Sequence, residues 1–181
     1  SASITKLRKY SLDLYKKLEK ITEQSTGLKQ NGSVTVATNK DRMEELLRQA
    51  TTAQLFGVEV EVLEKNKIKD YYPIINDEDL VGAVRMPHDG QANPVDVTQV
   101  LAKAARMEGA KIIENKPVKK ILIKNKAIVG VETNDEIIKC EYIVLAAGMW
   151  SRQIAKTINV NVPLYPDEHF YILTEPINDL T

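Results

Sequence analysis

The chain has 181 residues, 43% of them apolar, which is enough to fill a sizeable core, and its 25 basic residues balance 25 acidic ones. The positive field that nucleic-acid binding needs is therefore missing, and a neutral or acidic small molecule is the expected partner. A single cysteine, Cys140, leaves no internal disulfide or thiolate metal cluster to build and fits a reducing compartment, with the cytoplasm as the expected location.

Along the chain, Ile4, Leu7, Tyr10, Leu14, Leu18 and Ile21 recur at three- and four-residue steps, which predicts an amphipathic helix from about 3 to 23. Its basic side, with Lys6, Arg8, Lys9, Lys16, Lys17 and Lys20, is read as a solvated face. A strand is expected over 33–37, where polar and apolar residues alternate, then a helix over 39–55 with Thr38 as cap and Gly57 after its end. Residues 58–62 alternate again as a strand. A short helix over 63–71 is stopped by Pro73, and 80–86 is a third strand.

Asn93-Pro94-Val95-Asp96 carries helix-start chemistry: a capping amide, proline at the first helical position and an acid in the first turn. That helix is expected to run to about Glu108 and stop at Gly109. Short strands follow at 110–114, 117–123, 127–132 and 136–140, with turns at Asn125 and Asn134. Tyr142 to Ala147 is apolar without alternation and is read as a strand buried on both faces. Cys140, in the run before it, is expected to be buried and inert. A helix over 150–158 and a last strand over 166–174 complete the chain.

The fold class expected is α/β with mixed α+β character. A middle α/β block is flanked by half-exposed antiparallel strands, which two interleaved domains explain better than one. No stretch is long and apolar enough to span a membrane, and the first thirty residues lack a signal core. The opening Ser1-Ala2-Ser3-Ile4 has no initiating Met and reads as a cut inside a longer gene.

Much chemistry is missing. The eight glycines are never closer than five residues apart, so neither G-x-G-x-x-G nor a Walker loop exists to cradle phosphate. His88 and His169 are too far apart in sequence to suggest a metal site, and none is expected. No serine occupies a G-x-S-x-G elbow, and Cys140 is expected mid-strand, away from a helix start.

Four phrases nevertheless occur in order. They are Met86-Pro87-His88-Asp89-Gly90-Gln91-Ala92-Asn93-Pro94, Pro117-Val118-Lys119-Lys120-Ile121, Ala146-Ala147-Gly148-Met149-Trp150-Ser151-Arg152, and Glu168-His169-Phe170-Tyr171-Ile172-Leu173-Thr174-Glu175-Pro176. Together they resemble the dimethylglycine dehydrogenase and sarcosine dehydrogenase branch of the D-amino-acid-oxidase-like flavoproteins, over nearly the whole chain. The resemblance implies an FAD enzyme that oxidises an N-methyl amino acid by hydride transfer to the flavin, passing electrons to an acceptor protein or to oxygen. In that family the glycine fingerprint precedes the region matched here and a further flavin-binding segment follows it, so an internal fragment is expected. It would comprise substrate-domain residues 1–93, part of the FAD-binding domain over 94–160, and a return to the substrate-domain sheet over 161–181.

Carried over residue by residue, the resemblance places Val118 at the adenine end of FAD and Trp150 at a second cofactor contact. Ala147 and Gly148 would line the turn, where a small-residue strand exit lets backbone amides approach a ligand. From the residues alone, Val118 is a core position and Trp150 a helix anchor. His169 and Tyr171, two apart on the last expected strand, share a face. Either they project into the substrate cavity, orienting the amine and accepting its proton, or they are an aromatic pair packed between sheet and helix. His88-Asp89-Gly90 is read as a turn. Two alternatives stay open: an amino-acid or hydroxy-acid oxidase of the same superfamily, and, from a second function class, a binding module with a degenerate flavoprotein fold and no redox role.

Overall fold

The computed structural model describes residues 2–172 and 175. It is a mixed α+β chain that divides into two compact units, one running up to Ile112 and the other beginning at Ile113.

In the first unit, α1 (Ala2–Thr22) and α3 (Pro94–Met107) pack against each other, with Leu18, Thr22 and Val100 buried. Lys103 Nζ donates to the Thr22 carbonyl at 2.6 Å, which ties the end of α1 to α3. The expected solvated face of α1 holds for Lys6, Arg8, Lys16, Lys17 and Lys20, which are exposed. Lys9 has a structural task instead, since its Nζ donates to the Gly57 carbonyl at 3.1 Å.

Strands β1 (Ser33–Ala37), β2 (Glu61–Glu64) and β3 (Gly82–Met86) form an antiparallel sheet in the order β1-β3-β2. One face meets α2 (Lys40–Leu55), where Ala37, Val84, Leu46 and Ala50 are buried together with Met43 and Val60 alongside. The opposite face is closed by a 3₁₀ turn, Lys65–Asp70, whose Ile68 is fully buried with Leu63, Leu80 and Ala83. A period of two thus gives this sheet two cores, because both sets of side chains find cover. Each large apolar residue removed from water here contributes about 1.5–3 kcal/mol.

Capping follows chemistry, with one change from expectation. Asn39, not Thr38, caps α2: its backbone is extended and its side chain accepts from Arg42 N at 2.8 Å. Asn93 caps α3 as its sequence implies, accepting from Val95 N at 2.9 Å and Asp96 N at 3.2 Å. β2 lies at 61–64, not 58–62, because Leu63 pairs opposite Ala83 and enters the second core, which sets the register.

The second unit is a three-stranded antiparallel meander, β4 (Lys120–Lys124), β5 (Ala127–Glu132) and β6 (Ile137–Lys139), with α4 (Ser151–Lys156) against β4. Asn125 and Lys126 both have positive φ, as a two-residue hairpin turn requires. The expected turn at Asn134 forms too: Thr133 Oγ1 donates to the Glu136 carbonyl at 2.9 Å.

Three strand expectations fail. Residues 110–114 join no ladder. Residues 142–147 are not a buried strand, for Tyr142 is 87% and Val144 90% exposed. A strand covered on both faces needs neighbouring strands and flanking helices, and no described segment pairs with this one. Residues 166–172 likewise lack a partner strand, and Phe170, Tyr171 and Ile172 are each at least 85% exposed; residues 173 and 174 of that expected strand lie outside the described residues. Cys140 is half-buried, so the expectation of a fully buried thiol is corrected: it lies just past β6, at the edge of the meander.

Candidate functional site

The second unit carries the residues expected to meet a cofactor. Val118 lies just before β4 and is 36% exposed, so the core position inferred from the residues alone is not what it occupies. Ala147 precedes a single 3₁₀ turn, Gly148–Trp150, which leads directly into α4. Trp150 N donates to the Ala147 carbonyl at 3.0 Å and closes the turn. Gly148 holds φ +52°, and a Cβ built on it would meet no atom within 4 Å. The backbone there is open to an approaching ligand, and Trp150 presents a 60% exposed ring rather than a packed anchor. The turn thus combines an open backbone at Gly148 with the exposed side chains of Met149 and Trp150. No pyrophosphate cradle accompanies it, since the glycines needed for one are absent from the sequence.

His169 and Tyr171 also belong to the second unit. Both are exposed on a segment without regular secondary structure, and among the described residues neither has a hydrogen-bond partner. The alternative of an aromatic pair packed between sheet and helix is not what these residues form.

In the first unit the phrase from Met86 to Pro94 is a latched loop. Asp89 N donates to the Met86 carbonyl at 3.2 Å, forming the turn expected there. Lys29 and Gln91 exchange backbone hydrogen bonds at 2.8 and 3.0 Å, Gly32 N donates to the Asp89 carbonyl at 2.9 Å, and Asn93 N donates to the Thr26 carbonyl at 3.1 Å. Gly90 is required by contact, because a Cβ there would sit 2.2 Å from the Lys29 carbonyl oxygen. The outer end of the loop is polar: His88 Nε2 lies 2.8 Å from Glu59 Oε2. At the inner end, Thr26 donates to Glu19 Oε1 through both its hydroxyl, at 2.6 Å, and its amide, at 2.7 Å. The Thr26 hydroxyl, then its amide, hold the Glu19 carboxyl below the usual carboxylate range. Lys69, 2.8 Å from Asp77, does the same for that acid near the 3₁₀ turn.

One feature of this unit escaped sequence reasoning. A cleft of about 360 Å³ opens on the second face of the sheet, among Gly32, Val34, Tyr71, Tyr72, Ile75 and Arg85. Its signal was a lone arginine in the otherwise apolar run Gly-Ala-Val-Arg-Met, close in sequence to a tyrosine pair.

A model of the family described as FAD dependent oxidoreductase matches residues 1–181. The chain is 36% identical over 178 residues to a 4-methylaminobutanoate oxidase (formaldehyde-forming) of Paenarthrobacter nicotinovorans, covering 98% of this chain and 22% of that protein. It is 35% identical to the mitochondrial pyruvate dehydrogenase phosphatase regulatory subunit of Mus musculus, covering 94% and 20% of the two chains. Identity to the mitochondrial sarcosine dehydrogenase of Homo sapiens is also 35%, covering 91% and 18%. The chain thus spans about a fifth of the length of these relatives. Among solved structures, an L-proline dehydrogenase from P. horikoshii superposes with a TM-score of 0.79 at 30% identity, covering 86% of this chain and 41% of that one. By sequence along its whole length and by fold, the chain belongs to the D-amino-acid-oxidase-like family of FAD-dependent oxidoreductases.

Proposed function

We propose that the chain is an internal part of a flavoenzyme that oxidises a small N-methyl amino acid. The observation that carries this reading is the 36% identity, along 98% of the chain, to an oxidase whose name specifies a methylamino acid and formaldehyde. When bound, FAD would take a hydride from the carbon beside the amine nitrogen, and water would hydrolyse the resulting imine to formaldehyde and the demethylated amine. Electrons would then pass to an acceptor protein or to oxygen.

In this reading residues 1–93 and 161–181 belong to the substrate domain and 94–160 to the FAD-binding domain. Val118, Ala147, Gly148 and Trp150 hold the cofactor, with the open backbone at Gly148 supporting that role. His169 and Tyr171 face the substrate, one accepting the amine proton so that the nitrogen lone pair is free, the other orienting the amine or carboxylate. Their exposure leaves both rings available to a ligand. No helix among the described residues is long and apolar enough to cross a membrane, and the cytoplasm is the proposed location.

The test is the visible spectrum of the full-length gene product, before and after anaerobic addition of sarcosine, dimethylglycine or 4-methylaminobutanoate. Bleaching of a flavin band is the expected result. A flavin band that none of these amines reduces would move the substrate elsewhere in the family. In the same protein, Tyr171→Phe is expected to lower turnover while leaving flavin content intact, and unchanged kinetics would remove Tyr171 from the site. A second reading, a binding module without redox chemistry, is favoured by the similarity to a relative named as a regulatory subunit. Absence of flavin after reconstitution would select it.

A further inference from the structure

We propose that the cleft on the first unit's sheet is a binding site for a small monocarboxylate with an apolar body, received by Arg85. The chemistry begins with how that guanidinium is held. Nη1 donates to Glu61 Oε2 at 2.9 Å, and the guanidinium carbon lies 4.2 Å from the centroid of the Tyr71 ring. An ion pair on one edge and an aromatic face beneath fix its plane, so little side-chain freedom is lost when a further acceptor arrives.

Arg85 and Gly32 both line the cleft, and Gly32 lies beside the other end of the guanidinium. Among the described residues Glu61 is the hydrogen-bond partner of Arg85, through Nη1. A Cβ on Gly32 would meet Nη2 at 3.6 Å, an ordinary contact distance, so the glycine backbone approaches that nitrogen closely. Beyond it, Val34, Val36 and Ile75 supply apolar lining, Tyr72 an aromatic wall, and Asn31 and Ser33 a polar rim. A carboxylate matches the planar fork of donors. Glu61, already on the other edge, opposes a second negative charge, so a monoanion fits where a phosphate dianion does not. The volume of about 360 Å³ accommodates a small acid with an apolar body.

This inference stands apart from the flavin reading, because the assay needs no flavin. Saturation-transfer NMR on the intact protein with 3-methylbutanoate is expected to show saturable binding, with the neutral 3-methylbutanamide at least about tenfold weaker. Arg85→Lys keeps the charge but loses the fork and the stack, and is expected to weaken 3-methylbutanoate by about tenfold or more. Tyr72→Ala removes a wall while leaving the Arg85–Glu61 pair in place, and should weaken the acid and the amide alike. A colourless protein that binds in this pattern supports the cleft while defeating the flavin reading. A flavoprotein in which the acid binds no better than the amide, or binds equally after both substitutions, overturns the cleft alone.

Discussion

The two units of the chain treat their apolar residues differently. In the first, a three-stranded sheet is covered on both faces and ten apolar side chains, from Leu18 to Val100, are buried. In the second, only Ile121 and Ala155 reach that state among the described residues, while Tyr142, Val144, Tyr165, Phe170, Tyr171 and Ile172 are at least 85% exposed. Hydrophobic content is thus no guide to burial. What decides is whether the segment's neighbours lie in the same stretch of chain. For helices and hairpins they do; for a strand buried in a parallel sheet they come from elsewhere. For Tyr142 and Val144 the contrast agrees with the proposal that residues 94–160 belong to a larger flavin domain.

The comparison is sharpened most by a substitution in the first unit's core. Ile68 is fully buried between the sheet and its 3₁₀ turn, so Ile68→Ala is expected to cost about 2–5 kcal/mol, measured by denaturant unfolding of that unit. Gly90→Ala is expected to cost about 3 kcal/mol, because the new methyl group meets the Lys29 backbone rather than a movable side chain. Hydrogen exchange should show the amides of Lys29, Gly32 and Gln91 losing protection together. Asn93→Ala removes the cap of α3 and is expected to cost about 1 kcal/mol, with fraying confined to the first turn of that helix.

The second unit supplies the opposite case. Val144→Ser in this 181-residue chain is expected to change stability by no more than about 0.5 kcal/mol, because the side chain is already 90% exposed. A clearly larger loss would break the comparison, since it would require Val144 to be covered. In a full-length flavoprotein the same substitution is expected to cost more, as burial there would make the hydroxyl an unwelcome guest in a sheet.

What was legible in the sequence follows the same division. The three long helices, β1, β3 and the Asn93 cap were readable because their signals are local: a 3.6-residue period, an alternation, a side chain reaching its own helix. β2 was misplaced by three residues, since Val58 and Val60 alternate as well as Val62 does, and only pairing with β3 decides between them. Thr38 and Asn39 are both capping residues, and periodicity could not choose. Residues 142–147 and 166–172 were misread because apolar composition states a preference for burial without supplying the neighbours. Of the candidate site, the motif positions were visible, but the Arg85 cleft depends on Glu61, Tyr71 and Gly32 meeting across strands, which no spacing announces.

The smallest effect, and the one that separates the units by charge, is the response to pH. In the first unit the Glu19 carboxyl is held low by Thr26. Its contribution is therefore present at and above the ordinary carboxylate range and is lost as pH falls through the depressed folded value. In the second unit Lys116 is held high, first by Glu136 at 2.8 Å and then by Asp135 at 3.3 Å. Its contribution is present below the ordinary lysine range and is lost as pH rises through the elevated folded value. Acid should thus loosen the first unit at the junction of α1 with the latched loop, and strong alkali should loosen the Thr133–Glu136 turn of the second. Hydrogen exchange at acidic pH, with Glu19→Gln as control, tests the first arm, and the amide signals of Asp135 and Glu136 in an alkaline NMR titration test the second. High salt should shrink the Lys116 effect, which rests on exposed charges, and leave more of the Glu19 effect, which rests on hydrogen bonds from the buried Thr26.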